Sequence, residues 1–216
     1  MIPSAPSLED GIAAFHAGDL DTARASFQAA ADRGEPAGLH LLASLHYGGH
    51  GVPHDLAEAV RLFELAGEAG WPPSLCNLGV MHDAGDGVPK DRARALGYYR
   101  RAAERGNAQA QFLMGQACRR GEDFAADFEQ AAHWYRLAAE QGHAGAQNEY
   151  GLLHAQGHGV ELDYAQAFAW IDLPASAGDA QAVKNRDQLL RIMPPAQREQ
   201  ARGLAEALAR RLGTAT

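Results

Sequence analysis

Apolar and small residues recur along this chain at intervals of 36 residues, without insertion or deletion. An aromatic side chain holds this spacing four times, at Phe27, Phe63, Tyr99 and Tyr135. Alanine does the same at positions 59, 95, 131 and 167. An interval of this length is the signature of a helical repeat protein, in which each unit buries its apolar face against its neighbours.

Glycine and aspartate mark the turns within each interval. Three turns read GHGVPHD, GDGVPKD and GHGVELD, whereas the third in chain order, GEDFAAD, lacks the second glycine and the valine. The aspartates that end the four turns are Asp55, Asp91, Asp127 and Asp163. Aspartate is a good N-cap, so a helix is predicted to start after each turn. Three of these helices carry Glu or Gln three residues later (Glu58, Gln130 and Gln166), which predicts a capping box.

Two helices are therefore predicted in each interval, and we name them helix A and helix B. Helices A are expected over residues 38–47, 74–84, 110–120 and 146–156. Helices B are expected over residues 55–69, 91–105, 127–141 and 163–176, and each precedes a glycine suited to a left-handed C-cap. Pro174 is expected to end or kink the last helix B. Glycine recurs within helix A at Gly79, Gly115 and Gly151, which indicates close approach of a neighbouring helix.

The whole chain is predicted to be all-α, a right-handed superhelix of stacked antiparallel helix pairs. Residues 1–36 are expected to form an N-terminal tetratricopeptide-like hairpin, with helices at 8–17 and 20–33. Four repeats are expected at about 37–72, 73–108, 109–144 and 145–178. Residues 179–216 are expected to cap the array with helices at 180–192 and 196–212, because terminal repeats need a polar outer face.

These motifs resemble the Sel-one-like repeat (SLR) family, a relative of tetratricopeptide repeats with a 36-residue unit. The family's Leu-Gly pair corresponds to Leu78-Gly79, and its Trp-Tyr pair to Trp134-Tyr135. Its GxGV turn corresponds to residues 49–52, 85–88 and 157–160. The resemblance implies an adaptor or regulatory protein that binds partners, and it names no partner.

Composition and charge narrow the classes of function. The chain has a formal net charge of −8 and 46% hydrophobic residues, as a folded acidic protein does. Acidic proteins repel a phosphate backbone, so nucleic-acid binding is disfavoured, although the arginines between Arg92 and Arg120 keep a single-stranded RNA reader as an alternative. No apolar run is long enough to span a membrane, and no secretory signal is visible, so we expect a cytoplasmic protein. The oligomeric state stays open.

Candidate chemistry is sparse. His46, His82, Cys118 and His154 share one column of the repeat. Equivalent positions on stacked helices lie about 10 Å apart, too far for one metal ion whose bonds to nitrogen are ~2 Å long. A packing or turn-bonding role is the simpler interpretation. No nucleophile motif is present, so no enzyme activity and no cofactor are predicted.

The predicted function is protein–protein interaction, with a partner protein or peptide held in the concave groove that helices A line in tetratricopeptide-like arrays. The residues expected to face the groove are His40, Ser44, Tyr47, Cys76, Val80, Asp83, Phe112, Gln116, Arg119, Arg120, Asn148, Leu152 and Gln156. Phe112, Gln116, Arg119 and Arg120 share one helical face and suggest an anchor for an acidic or C-terminal carboxylate element. The alternative is an immunity-type protein that binds and neutralises one enzyme.

Overall fold

The described part of the chain, residues 7–121 and 125–213 of a computed structural model, contains twelve α-helices. Six lie in a first compact unit, Met1–Arg105: α1 (Leu8–Ala17), α2 (Leu20–Asp32), α3 (Pro36–Gly48), α4 (Leu56–Glu68), α5 (Pro72–Ala84) and α6 (Arg92–Glu104). Six lie in a second unit, Gly106–Thr216: α7 (Ala108–Arg120), α8 (Phe128–Glu140), α9 (Ala144–Gln156), α10 (Tyr164–Ser176), α11 (Ala180–Ile192) and α12 (Pro195–Leu212). The predicted all-α class is confirmed.

Helices pack in sequence order within each unit. In unit 1, α3 packs on α4 and α5 on α6, and α2–α3 and α4–α5 contacts join the pairs. In unit 2, α7 packs on α8 and α9 on α10, and α8 also packs on α9. The predicted stacked helix pairs are therefore present, while the right-handed sense of the superhelix stays a prediction.

Each aspartate that follows a turn caps its helix B and also ties the turn to helix A. The Asp55 carboxylate accepts the Glu58 N–H (3.0 Å), and the Asp55 N–H donates to the His46 carbonyl (3.0 Å). The same pair of bonds recurs at Asp91, Asp127 and Asp163. The predicted capping boxes are wrong for this reason, because the N–H that Glu58 would bind is already bonded. The Glu58 carboxylate accepts from Arg61 instead (2.6 and 2.8 Å).

Pro174 does not end α10, which continues to Ser176. The other three helices B end at the equivalent position, at Glu68, Glu104 and Glu140. The expectation that Pro174 ends the helix is therefore wrong. A proline inside a helix loses the bond of its own N–H and crowds the carbonyl four residues earlier, but Pro174 is fully buried, and we attribute the continued last turn to that packing.

The mid-helix glycines lie where helix B crosses helix A, as predicted. An added Cβ at Gly115 would lie 2.5 Å from Cδ1 of the buried Tyr135 ring, and one at Gly151 would lie 2.6 Å from Cγ1 of Ile171. The second glycine of the turn has a separate role, because it contacts the start of the preceding helix B. Gly51 lies against Leu20 in this way, and Gly159 against Phe128. Positions 122–124 of the variant third turn lie outside the described residues.

Of the two C-terminal helices, α11 still follows the repeat as a further helix A, whereas α12 does not. Helix α11 starts 36 residues after α9 and continues the series, and the Asn185 amide donates to Asn148 Oδ1 of α9 (2.8 Å). Helix α12 starts three residues after α11 ends and packs on α10. Ala201, Ala205 and Leu208 are its buried residues. Helix α12 thus covers an apolar face of α10 in unit 2.

Candidate functional site

Two of the residues predicted to face the groove in unit 1 are used for packing. The His40 Nδ1 atom lies 2.9 Å from Ser74 Oγ of α5, and its ring lies 5.4 Å from that of Phe63. Burial lowers the pKa of His40 to about 4, so the ring is neutral at physiological pH. The Ser44 hydroxyl donates to the His40 carbonyl within α3 (2.9 Å). Both side chains are half-buried and already have a bonding partner within unit 1, and their contact with a partner protein stays a prediction.

Tyr47 and Val80, on the adjacent helices α3 and α5, remain exposed, at 38% and 40% of their surface. With Asn77 they surround a small pocket whose other lining residues, Phe63 and Met81, are buried. Asp83 lies one helical turn beyond Val80 and accepts from Arg92 (2.7 Å). The Tyr47 hydroxyl donates to Asp86 Oδ2 (3.1 Å). Asn77 and Asp86 belong to this surface, although the sequence analysis did not include them.

Cys76 was expected on the same face, but its side chain is buried in α5. Burial raises the pKa of the Cys76 thiol to about 11, so the thiolate is scarce at neutral pH. A thiol in that state is a poor nucleophile and a poor metal ligand.

Phe112 packs within unit 2 and is only partly exposed. Its ring stacks on that of His143 (4.5 Å between centroids) and lies 5.8 Å from the Tyr135 ring. The His143 Nδ1 atom accepts the Ala146 N–H (3.1 Å) and caps α9, so Nε2 carries the proton and donates to Gln109 Oε1 (3.0 Å). The Phe112 ring thus supports a capped helix start.

The two arginines at the end of α7 differ in their surroundings. Arg119 Nε lies 3.4 Å from the Tyr135 hydroxyl, to which it donates, and 3.6 Å from Glu149 Oε2 of α9. Arg120 is exposed and has no hydrogen-bond or ion-pair partner among residues 7–121 and 125–213. Arg119 thus has an acidic neighbour within unit 2, whereas the role of the two arginines as an anchor for a carboxylate stays a prediction.

The remaining residues predicted to face the groove differ in how far their side chains are exposed. Asn148 is buried and bonded to Asn185, whereas Gln156 is exposed at the end of α9. Gln116 and Leu152 are half-buried.

The histidines and the cysteine that share one position of the repeat bind the turns through backbone hydrogen bonds. The carbonyls of His46, His82, Cys118 and His154 accept the N–H groups of the four capping aspartates. The His82 ring stacks on Tyr98 (5.4 Å), and His154 Nδ1 lies 3.2 Å from the Glu161 carbonyl. Within the described part of the chain, no three metal-ligating side chains come together.

The repeat itself identifies the family. The Sel1 repeat pattern matches residues 36–71, 72–107, 108–143 and 144–179 in uninterrupted succession. The chain belongs to the Sel1 repeat family. Sel1 repeats form a scaffold fold, and proteins built from them generally mediate protein–protein interaction.

Solved Sel1 structures resemble this chain closely. A Sel1 repeat protein from Oxalobacter formigenes is 35% identical with a TM-score of 0.76, over 79% of this chain and 49% of its own length. A protective antigen of uropathogenic Escherichia coli with an SLR fold is 29% identical with a TM-score of 0.78, over 94% of this chain and 46% of its own length. The chain thus spans about half the length of these two relatives.

A more distant structure shares the fold alone. An immunity protein from Pseudomonas aeruginosa is 21% identical with a TM-score of 0.56, over 97% of this chain and 89% of its own length. A comparison with curated proteins found no match. No helix in residues 7–121 and 125–213 of this Sel1 protein is long and apolar enough to cross a membrane.

Proposed function

We propose that this Sel1 repeat protein is a scaffold that binds one partner protein through the faces of its helices A. The observation that supports the proposal most strongly is that these helices carry side chains that remain exposed at the surface of their own unit. Tyr47 and Val80 in unit 1 and Arg120 and Gln156 in unit 2 are exposed. Exposed aromatic and arginine side chains are common interface hot spots.

Arg120 is proposed as the contact for an acidic or C-terminal carboxylate element of the partner. A guanidinium binds a carboxylate with two parallel hydrogen bonds, and the Arg120 side chain is exposed at the end of α7. Arg119 has a supporting role, because its bonds to Tyr135 and Glu149 hold the end of α7 against α8 and α9.

Charge reversal at the two arginines is expected to give different results. Arg120→Glu should weaken partner binding at least tenfold, about 1.4 kcal/mol, and should lower the thermal midpoint only slightly, because it replaces a cation in the last turn of α7 by an anion. Arg119→Glu places two carboxylates together and should lower stability by roughly 1 kcal/mol, as expected for a partly exposed ion pair. The partner is captured from native cells on the immobilised full chain and identified by mass spectrometry, and its affinity is then measured by calorimetry.

Arg100→Glu is the matched control, because Arg100 is an exposed arginine on helix B α6. Binding that falls equally with Arg100→Glu and Arg120→Glu would contradict the proposal. The same calorimetry separates the two forms of the function. A tight one-to-one complex with an enzyme that loses activity would establish the immunity-type alternative, and a complex with no such loss would establish an adaptor.

A further inference from the structure

A small pocket lies between α3 and α5 and is open to solvent, whereas an ion pair occupies the equivalent place in unit 2. Tyr47 of α3 and Asn77 and Val80 of α5 form its rim, and Phe63 of α4 and Met81 line its interior. Phe63 and Met81 are each 1% exposed, whereas Tyr47 and Val80 are about two-fifths exposed. The cavity, about 100 Å³, has room for one branched aliphatic side chain.

At the equivalent place in unit 2, two repeats later in the sequence, an arginine side chain lies next to a carboxylate and a tyrosine hydroxyl. There Arg119 replaces Tyr47, Glu149 replaces Asn77 and Tyr135 replaces Phe63. Arg119 spans this place by approaching both Glu149 (3.6 Å) and the Tyr135 hydroxyl (3.4 Å). Tyrosine, asparagine and phenylalanine cannot form that ion pair in unit 1, so the same position stays open and apolar there.

The rim of the open pocket carries negative charge. Asp86 accepts from the uncharged Tyr47 hydroxyl (3.1 Å), and within residues 7–121 and 125–213 no cation pairs with it. Asp83 lies one turn beyond Val80 on α5, but its ion pair with Arg92 (2.7 Å) offsets its charge, so the acidic edge of the pocket rests on Asp86. An apolar pocket with an acidic edge complements an aliphatic side chain next to a lysine or arginine.

We infer that the pocket formed by Tyr47, Phe63, Asn77, Val80 and Met81 binds an aliphatic side chain of a partner segment that carries a neighbouring basic residue. The inference rests on the proposed function and specifies the chemistry of one contact. The aliphatic group replaces water against Phe63 and Met81, and the basic group lies over Asp86.

A display experiment tests this with a random peptide library on phage as the probe. Wild-type protein should enrich peptides with Leu, Ile, Val or Met beside Lys or Arg. The double variant Tyr47→Arg/Asn77→Glu copies the Arg119–Glu149 ion pair of unit 2, and a synthetic peptide of the enriched sequence should bind it at least tenfold more weakly. Leu65→Arg, on an exposed position of α4, is the matched control and should bind as the wild type does.

Further measurements test the inference even if the double variant Tyr47→Arg/Asn77→Glu does not fold. Val80→Asp changes one exposed residue at the rim and should also weaken the peptide at least tenfold. Replacing the peptide's basic residue by Glu should weaken it similarly, and raising the salt concentration should reduce affinity only for the basic peptide.

Three results would overturn the inference. They are enrichment of acidic peptides, enrichment of no peptide, and equal affinity of the selected peptide for wild type, Tyr47→Arg/Asn77→Glu and Val80→Asp. None of them decides the proposed function, which the captured partner and the Arg120→Glu variant test separately.

Discussion

Gly159→Ala is expected to lower the free energy of unfolding of unit 2 by about 2–5 kcal/mol, from a left-handed backbone and an overpacked contact together. Gly159 has φ +69° in the turn before α10. Its Cβ would collide with the Phe128 carbonyl and the Glu129 N–H at the start of α8. These are backbone atoms in a capped helix, so no rotamer change can relieve the collision. Urea unfolding measures the effect.

Gly178→Ala is the matched control for the backbone conformation. Gly178 also has a left-handed backbone, φ +94°, but an added Cβ meets nothing within 4 Å. Its alanine variant should cost only about 1–2 kcal/mol. Equal losses at Gly159 and Gly178 would show that the contact between turn and preceding helix contributes nothing.

Alanine at two glycines of unit 1 is expected to change stability in opposite directions. At Gly79 an added Cβ would lie 2.5 Å from Cε1 of Tyr99, whose ring is buried, so Gly79→Ala should cost about 1–3 kcal/mol. At Gly97, within α6, an added Cβ meets nothing within 4 Å, so Gly97→Ala should gain about 0.5–1 kcal/mol from helix propensity. The urea midpoints of the two variants, measured side by side, give both signs.

A gain at Gly79 would contradict the close approach of α5 and α6. A loss at Gly97 would mean that the exposed face of α6 is packed in solution, which would itself indicate an interface there.

The repeat made the helices predictable, because spacing, capping residues and glycines all pointed to the same boundaries. The bounds predicted for the first helix, 8–17, and for 180–192 agree with α1 and α11. Helices A begin two residues earlier than expected, and in α3 and α5 the reason is that Pro36 and Pro72 fit the first helical position. The capping boxes failed because a bond from the Asp55 N–H to the His46 carbonyl joins two helices, and short-range patterns do not reveal such bonds.

For the candidate site, the sequence could predict which residues share a helical face but not which of them already have partners. Spacing along α7 placed Phe112, Gln116 and Arg119 together, yet it could not show that Arg119 is already held by Glu149 on the next helix A. The two residues are 30 positions apart, as are Tyr47 and Asn77. A signal was therefore present, since opposite charges at this separation allow an ion pair between adjacent helices A, which Tyr47 and Asn77 cannot form. Using it requires knowing how adjacent helices A align, which sequence spacing does not provide.

Hydrogen–deuterium exchange on the complex with the captured partner tests the central claim, that the faces of helices A form the binding surface. Partner binding should slow exchange in peptides from α3, α5, α7 and α9, above all those around Tyr47, Val80 and Arg120, and leave α4, α6 and α8 unchanged. Slowed exchange confined to α4, α6 and α8 would place the partner on the other side of the repeats and contradict the claim.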